Sequence, residues 1–257
     1  MSIPVRCVLL GASNVTIGFP LIMEALRKVL PDGSEVFAAH GHGRSYLRWS
    51  SVLHRSLPGI VECQLWEDLD NRPAAEKTVA LITDVGNDIL YGESSEPLLA
   101  SVRECLRRLQ RHEAKTVCVR LPISRVSRLT ARSYWIVKNL FFPGPTRPWS
   151  DVLDTAKSVD AGLLRLSAEF QAATVEPPAE WYGLDPIHIQ KSQRPDAWQR
   201  IFDHWGLVER WPFAPVPQHT SIRWWRLRPH ERRIFRTSQA HPQPVLAQRE
   251  GVSLWLY

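Results

Sequence analysis

The segment Val5-Arg6-Cys7-Val8-Leu9-Leu10-Gly11-Ala12-Ser13-Asn14 decides the fold of this 257-residue chain. Its first six residues are apolar except for Arg6, which is typical of a strand largely buried in a parallel sheet. Gly11 ends that strand, and a helical pattern follows from Thr16 to Leu30. A buried strand that leads into a helix in this way is the beginning of a βαβ crossover.

The same alternation continues along the chain. Further strands are predicted at Glu35 to Ala39, Thr78 to Thr83, Thr116 to Leu121 and Ala173 to Val175, and further helices at Pro97 to His112, Trp149 to Ala172 and Gln193 to Trp205. Strands that alternate with helices predict a three-layer α/β sandwich around a mainly parallel sheet. The functional loops of such sheets gather at the carboxyl ends of the strands.

Two regions depart from this pattern. Arg125 to Pro148 is a long aromatic insertion, which either covers the site or packs on the body. Residues 206–257 are rich in Trp, Arg and Pro, and we expect them to form an extension packed on a body of residues 1–205. The end of the extension, Val245 to Tyr257, has the pattern of a β-hairpin that turns at residues 249–251.

The formal net charge of +6 raises the question of an acidic partner. Much of the excess comes from the arginines of the extension, which are Arg223, Arg226, Arg228, Arg232, Arg233, Arg236 and Arg249. Their alternation with Trp224 and Trp225 is compatible with a nucleic-acid surface. We favour the simpler interpretation, in which the tryptophans pack on the body and the arginines stay solvated. A hairpin that pairs with a second protomer is a further alternative.

Other broad classes are disfavoured. No apolar run approaches the roughly 20 residues that span a bilayer, and residues 1–10 lack the pattern of a secretory signal. We therefore expect a cytoplasmic protein. The four cysteines form no CxxC pair and no cluster with zinc spacing, so buried free thiols and no metal site are expected.

Four short segments carry groups that attack an ester carbonyl. Ser13 supplies a hydroxyl at a strand-to-helix junction, and His188 is the best-placed base to take its proton. Asp185, three residues earlier, can hold the His188 ring in one tautomer. The amides of Ser13 and Gly43 and the side chain of Asn87 supply donors for an oxyanion. Ser13, Gly43 and Asn87 each follow a predicted strand.

These segments resemble the SGNH, or GDSL-type, hydrolase superfamily, which is named for a Ser, a Gly, an Asn and a His in four sequence blocks. The resemblance covers about Val5 to Trp205. It implies a flavodoxin-like α/β/α fold with neither metal nor organic cofactor. It also implies that Ser13 is the nucleophile, that Gly43 and Asn87 complete the oxyanion hole, and that Asp185 and His188 are the remaining catalytic pair.

The chain departs from the family pattern at two places. Ala12 stands where the first block usually has an acid, and Val85 stands where the third block usually has a glycine. Gly41 competes with Gly43 for the second-block role, and we prefer Gly43 because Arg44 and Ser45 follow it. The neighbouring Gly41, His42 and Arg44 are candidate substrate contacts, although a surface or ion-paired arginine is the commoner role.

The sequence thus predicts a serine esterase with a small-molecule or carbohydrate ester as substrate. The run Gly43-Arg44-Ser45 resembles carbohydrate acetylesterases, which suggests a small acyl group such as acetyl. Acyl transfer to an alcohol other than water remains open. The alternative from another class is an inactive SGNH-like binding protein whose basic tail contacts nucleic acid or a protein partner.

Overall fold

The computed structural model describes residues 3–52, 54–130, 147–183, 185–235, 237–247 and 251–257. The strands are β1 Ile3–Leu10, β2 Glu35–Ala39, β3 Ser50–Val52, β4 Arg55–Leu57, β5 Ala75–Ile82, β6 Lys115–Val119, β7 Ala173–Val175, β8 Glu231–Ile234, β9 Thr237–Ala240 and β10 Ser253–Leu256. The helices are α1 Ser13–Val29, α2 Leu65–Asp70, α3 Asn87–Leu90, α4 Ser95–Arg111, α5 Ile123–Val126, α6 Trp149–Glu169, α7 Arg194–Phe202 and α8 Gln218–Trp225.

The described strands build a six-stranded sheet in the order β10-β2-β1-β5-β6-β7. Each neighbouring pair in this sheet is parallel. Without β10, the order in terms of successive sheet strands is 2-1-3-4-5, which is the flavodoxin-like arrangement. The predicted fold class is therefore confirmed. Strand β2 lies on one side of β1, and β5 lies on the other side. The strand order therefore reverses at β1, and the loops that follow these strands meet at that point.

Both faces of the sheet are covered, which explains the nearly continuous apolar run of β1. Cys7 and Leu9 belong to a core shared with α1, α7 and the extension, whereas Val8 and Leu10 belong to a second core shared with α2, α4 and α6. All four side chains are fully buried. This alternation along β1 is the period of two that a strand imposes on its side chains.

Arg6 is the polar exception in β1, and a neighbouring strand explains it. Arg6 lies opposite Glu35 of β2 in the parallel register. Its Nε and Nη2 donate to Glu35 Oε2 at 3.0 and 2.9 Å, and both side chains are buried. Arg72 donates to the other carboxylate oxygen of Glu35. The charge in the apolar run is thus compensated within the sheet.

The extension contains an antiparallel hairpin that the sequence pattern does not predict. Strands β8 and β9 form the antiparallel hairpin, and β8 pairs with β4 in a small sheet ordered β3-β4-β8-β9. In the predicted hairpin, one antiparallel bridge joins Leu246 to Leu254, and residues 249 and 250 of its turn lie outside the described part of the chain. Strand β10 instead pairs with β2, where Trp255 stacks on Phe37 with ring centroids 4.7 Å apart.

The two adjacent tryptophans of the extension have different surroundings. Trp224 is buried against α1, and its indole N–H donates to Glu24 Oε1 at 2.9 Å. Trp225 donates to the carbonyl of Thr16 at 3.2 Å and keeps 54% of its surface exposed. Packing on the body is therefore observed for Trp224. The aromatic residues predicted to cover the site, at positions 134, 135, 141 and 142, lie outside the described residues.

Candidate active site

Ser13 is the first residue of α1, directly after the turn that leaves β1. That turn is tight because a Cβ at Gly11 would lie 2.5 Å from Val15 and 2.8 Å from Thr83. Glycine therefore lets the end of β1 approach the end of β5 closely. Ser13 is 8% exposed, and its hydroxyl faces a cleft between the carboxyl ends of the strands.

Asp84 organises the backbone around Ser13. It follows β5 in the left-handed region, with φ +60°, a conformation that aspartate tolerates better than most residues. Its Oδ2 accepts the backbone amides of Ala12 at 2.8 Å, Asn14 at 3.0 Å and Val15 at 3.4 Å. One carboxylate thus caps the N-terminus of α1 from another strand. These bonds brace the loop that carries Ser13.

Asn14 connects the serine loop to the histidine loop. Its Nδ2 donates to Asp84 Oδ1 at 2.7 Å and to the carbonyl of Ile187 at 2.9 Å. Its Oδ1 accepts the amide of Ile189 at 2.9 Å. The sequence pattern predicts no role for Asn14. The amide side chain of Asn14 has two N–H donors and one oxygen acceptor that need partners when partly buried. This need is the one feature of the sequence that could have indicated a bridging role for Asn14.

Asp185 and His188 form the pair expected from their spacing. His188 Nδ1 lies 2.6 Å from Asp185 Oδ2, and Asp185 Oδ1 accepts the amides of Ile187 and His188. A carboxylate accepts only, so Nδ1 carries the proton and Nε2 presents a lone pair. Although partial burial opposes ionisation, the hydrogen bond and charge of His188 lower the pKa of Asp185. Among the described residues, no hydrogen bond joins His188 to the Ser13 hydroxyl.

The Gly43 segment lies against the Asn87 segment. Asn87 Nδ2 donates to the carbonyl of Arg44 at 3.2 Å, and the Tyr91 hydroxyl donates to the carbonyl of Gly43 at 2.7 Å. Gly43 has φ +61°, which favours glycine at this turn. Asp88 fixes the segment that follows Gly43, because it accepts the backbone amide of Tyr46 at 2.8 Å.

Three N–H donors remain unused within this arrangement. Asp84 accepts the amides on both sides of Ser13 and leaves the Ser13 amide itself without an acceptor among the described residues. In the same part of the chain, the Gly43 amide has no acceptor either. Asn87 has two side-chain N–H groups and uses one of them, toward Arg44. These are the three donors that the sequence assigns to the oxyanion hole.

Arg44, a predicted substrate contact, has no exposed surface in the structure. Its side chain donates to the main-chain oxygens of Pro58, His40 and Tyr257, and its Nη2 has no partner among the described residues. These bonds support the backbone of this loop. Gly41 is also buried, and a Cβ there would lie 2.2 Å from Leu57, so close packing accounts for this glycine.

His42 is exposed and lies near His188 of the Asp185–His188 pair. Partial desolvation and then the nearby charges of His188 and Arg55 lower the pKa of His42, whereas Asp84 raises it. Of the three candidate substrate contacts named from the sequence, His42 is the one that reaches solvent. It therefore stays a predicted substrate contact.

The cleft beside Ser13 has a polar part and a larger apolar wall. The polar part comprises Ser13, Asn14, Thr83, Asp84, Asn87 and Arg120. The apolar wall comprises Val85, Ile89, Leu90, Val119, Leu121, Pro122, Val126, Leu129, Trp149, Val152, Ala156, Tyr182, Pro186, Ile187, Ile189, Trp198 and Ile201. The wall runs from the strand ends to α6 and α7. Burial of a hydrocarbon chain against this apolar wall is favourable, because it removes apolar surface from water.

Asp88 makes the stability of the site loops dependent on pH. Burial raises the pKa of Asp88 from 3.8 to about 6, against the hydrogen bonds from Ser45 and Tyr46. The folded chain then holds this proton more tightly than the unfolded chain. The contribution of Asp88 to stability is fully present below about pH 4 and is lost as the pH rises through about 6.

The matching measurement is urea unfolding of the wild type and Asp88→Asn across this range. We expect the free energy of unfolding of the wild type to fall by about 2 kcal/mol relative to the variant between about pH 4.5 and pH 8. A difference between the two proteins that stays constant with pH would mean that Asp88 does not titrate in this window.

Among the described residues, no helix is both long and apolar enough to cross a bilayer. Across the same ranges, no three side chains of the His, Cys, Asp or Glu type are grouped as metal ligands. The four cysteines are free and buried.

Comparison with known proteins gives similarity at the level of structure. No family model and no curated protein matches the chain. It is similar to a psychrotrophic esterase, EstA from Pseudoalteromonas sp., with a TM-score of 0.49 and 13% identity over 79% of this chain and 99% of that one. It is also similar to AlinE4, a SGNH-hydrolase family esterase, with a TM-score of 0.43 and 14% identity over 79% and 95%.

A third similar structure is an acetyl xylan esterase, AlAXEase, with a TM-score of 0.49 and 10% identity over 77% of this chain and 98% of that one. Similarity at this level does not establish an activity. The fold class follows from the strand order of this chain, and its chemistry has to follow from its own residues.

Proposed function

We propose that this chain is a serine esterase of the SGNH type that cleaves its substrate through an acyl-enzyme on Ser13. One observation carries the proposal. Three unused N–H donors, on Ser13, Gly43 and Asn87, come from the ends of three strands, and they lie in segments that hydrogen bonds tie together. Unpaired donors grouped at strand ends favour binding of an oxyanion over a purely structural role.

The proposed reaction begins with attack of Ser13 Oγ on the ester carbonyl carbon. His188 Nε2 takes the hydroxyl proton, and the three donors bind the negative oxygen of the tetrahedral intermediate. Collapse of the intermediate breaks the bond to the leaving alcohol, which receives the proton from His188. Water then adds to the acyl-enzyme with His188 as base, which releases the acid and restores Ser13.

The reaction requires His188 Nε2 to reach Ser13 Oγ in the substrate complex. Catalytic hydrogen bonds are often long in the free enzyme and tighten when substrate binds. Asn14 favours that approach because it fastens both loops to each other on either side of His188. Asp185 fixes the ring so that Nε2 is the free nitrogen.

A fluorophosphonate probe tests the proposal directly. We expect time-dependent loss of esterase activity, with the phosphonyl group found by peptide mass spectrometry on Ser13 alone. Prior incubation with a slowly hydrolysed ester should protect the protein. Turnover of esters by a preparation in which Ser13 stays unlabelled would contradict an acyl-enzyme at this residue.

The acyl group is assigned to the apolar cleft beside Ser13. The acetyl group suggested by Gly43-Arg44-Ser45 fills little of that cleft, and Arg44, on which the suggestion partly rests, is buried structure. The wall of carbon atoms favours a longer chain, because each buried methylene contributes about 0.8 kcal/mol.

We therefore expect kcat/KM for p-nitrophenyl esters to rise by about 10-fold from acetate to butanoate. In Val152→Trp, a bulkier side chain in the wall should reduce the activity on longer esters more than the activity on acetate. Equal rates for acetate and butanoate in the wild type would leave acetyl as the better assignment.

A further inference from the structure

A second cavity begins one helical turn along α1 from Ser13. Thr16 and Ile17 line it, and they follow Ser13 by three and four residues on the same face of α1. The remaining lining comes from residues 40–42, from Arg55 and from the extension, namely His40, Gly41, His42, Arg55, Trp224, Trp225, Leu227, Pro229 and Leu256, together with Phe19. None of these described lining residues is acidic.

Two buried polar atoms of the cavity lining, Arg55 Nε and His40 Nε2, have no hydrogen-bond partner among the described residues. Among the described residues, no aspartate or glutamate forms an ion pair with Arg55 or with its neighbours Arg44 and Arg232. Burial and the charges of Arg232 and Arg44 lower the pKa of Arg55. A cationic cavity whose described lining has no aspartate or glutamate favours an anionic occupant.

His40 adds an acceptor to this cavity. The Thr16 hydroxyl donates to the carbonyl of Ala12 at 2.7 Å, so it accepts from His40 Nδ1 at 2.9 Å. The proton therefore lies on Nδ1. Burial, followed by the charge of Arg44, lowers the pKa of His40 to about 3, which keeps the ring neutral. Its Nε2 is then a buried lone pair without a partner, suited to accept from a hydroxyl.

Trp225 gives the cavity an exposed aromatic side. Its indole N–H is fixed by the Thr16 carbonyl at 3.2 Å, and 54% of the residue's surface remains exposed. A fixed aromatic ring beside hydrogen-bonding groups is a common way to hold a compact hydroxylated ring. The cavity thus combines a cation, an acceptor and an apolar platform.

We propose that this cavity binds the alcohol half of the ester, and that this alcohol is a hydroxylated ring carrying a carboxylate or phosphate group. Arg55 receives the anionic group, His40 Nε2 accepts from a hydroxyl, and Trp225 packs on the ring. This proposal rests on the esterase function, since it assigns the acyl half of an ester to the cleft that Ser13 lines and the alcohol half to the cavity that Thr16 and Ile17 line. Binding of the alcohol alone requires no catalysis.

Calorimetry of the Ser13→Ala protein measures that binding without turnover. The probes are glucuronate, glucose 6-phosphate and glucose. We expect both anionic sugars to bind at least about 10-fold more tightly than glucose, because charge-assisted hydrogen bonds are the stronger ones. The tighter of the two identifies the anionic group. Equal affinity for all three, or no binding of any, would overturn the proposal.

Variants test which residues cause the preference for anionic sugars over glucose. Arg55→Gln should remove most of the preference for the anionic sugars, and Arg55→Lys should retain part of it. Trp225→Ala should weaken the binding of all three sugars by similar factors. Arg103→Gln is the matched control, because Arg103 is an exposed arginine paired with Glu169 on other helices, and the preference should not change. A preference that survives Arg55→Gln would assign the anionic group elsewhere.

Kinetics separate this inference from the esterase function itself. Butanoyl esters of glucuronate and of methyl glucoside, acylated at the same hydroxyl, form the substrate pair. The wild type should favour the glucuronate ester in kcat/KM by about 10-fold, and Arg55→Gln should abolish that ratio. Hydrolysis of both esters at equal rates refutes the cavity assignment alone. Arg55-dependent binding without hydrolysis of any ester refutes the esterase function alone.

Discussion

Ser13→Ala is expected to lower kcat on p-nitrophenyl butanoate by on the order of 10⁵-fold. The substitution removes the atom that forms the acyl bond, and the residual rate then comes from substrate binding and the oxyanion donors. The fold should be unaffected, because no hydrogen bond of the Ser13 hydroxyl supports it among the described residues. Fluorophosphonate labelling should disappear together with activity.

Ser150→Ala is the matched control, since Ser150 also lies in the first turn of a helix and has an exposed hydroxyl. Its activity and labelling should equal those of the wild type. Circular dichroism and a thermal unfolding scan should superimpose for all three proteins. If Ser13→Ala kept more than about 1% of the activity, the nucleophile would have to be another group.

Asp84→Ala is expected to have the largest effect on stability and a large effect on activity. It leaves the amides of Ala12, Asn14 and Val15 without their acceptor, and it frees one donor of the Asn14 side chain. Losing a helix cap costs about 1 kcal/mol, and each partly buried donor left unpaired adds to this. We expect the free energy of unfolding to fall by about 3 kcal/mol.

Activity should fall further than stability alone requires. Asp84 sets the direction of the Ser13 amide and, through Asn14, the distance between the serine and histidine loops. A misplaced catalytic group of this kind costs about 100-fold in kcat. Urea unfolding and kcat on p-nitrophenyl butanoate are the two measurements.

Asp70→Ala provides the comparison, because Asp70 is an exposed aspartate whose partners are Arg111 and His112 at the surface. It should change stability by less than about 1 kcal/mol and leave kcat unchanged. If Asp84→Ala were equally mild, the hydrogen bonds around Ser13 would not set its geometry.

Elements with a strong internal pattern were predictable from the sequence. The predicted strand Glu35 to Ala39 has the observed bounds, and α4 and α6 begin within two residues of the predicted positions. Each has an apolar period that its own residues determine. The shorter strands β3, β4, β8 and β9 were missed, because strands of three or four residues depend on distant partners for their stability.

Strand β10 shows the limit of local pattern. Its apolar residues Leu254 and Leu256 predict a strand, but nothing near them states whether it pairs with a neighbour in sequence or with β2. The open edge beside β2 decides this, since Trp255 covers Phe37 there. Arg44 is a similar case, because residue type alone does not reveal whether a guanidinium faces solvent or buried carbonyl groups.

Within the site, contacts between residues close in sequence were more predictable than contacts between distant segments. Asp185 and His188 pair as their spacing predicts, because both lie on one short loop. The bridge through Asn14 joins residues more than 170 positions apart, and no spacing rule reaches that far. How Ser13, Gly43 and Asn87 share one oxyanion stays a prediction, supported by their unused donors.

The place of β10 affects how the molecule is made. The outer edge of residues 35–39 stays unpaired until residues 253–256 have been synthesised. More than 200 further residues must therefore leave the ribosome before this edge of β2 is paired. Pairing across such a separation is slow, because the chain must lose its freedom before the contact is gained. Arg44 likewise lacks its acceptor on Tyr257 until then. During synthesis, the nascent chain therefore has an incomplete sheet, and the loop that contains Arg44 gains this support only after residue 257 has been added.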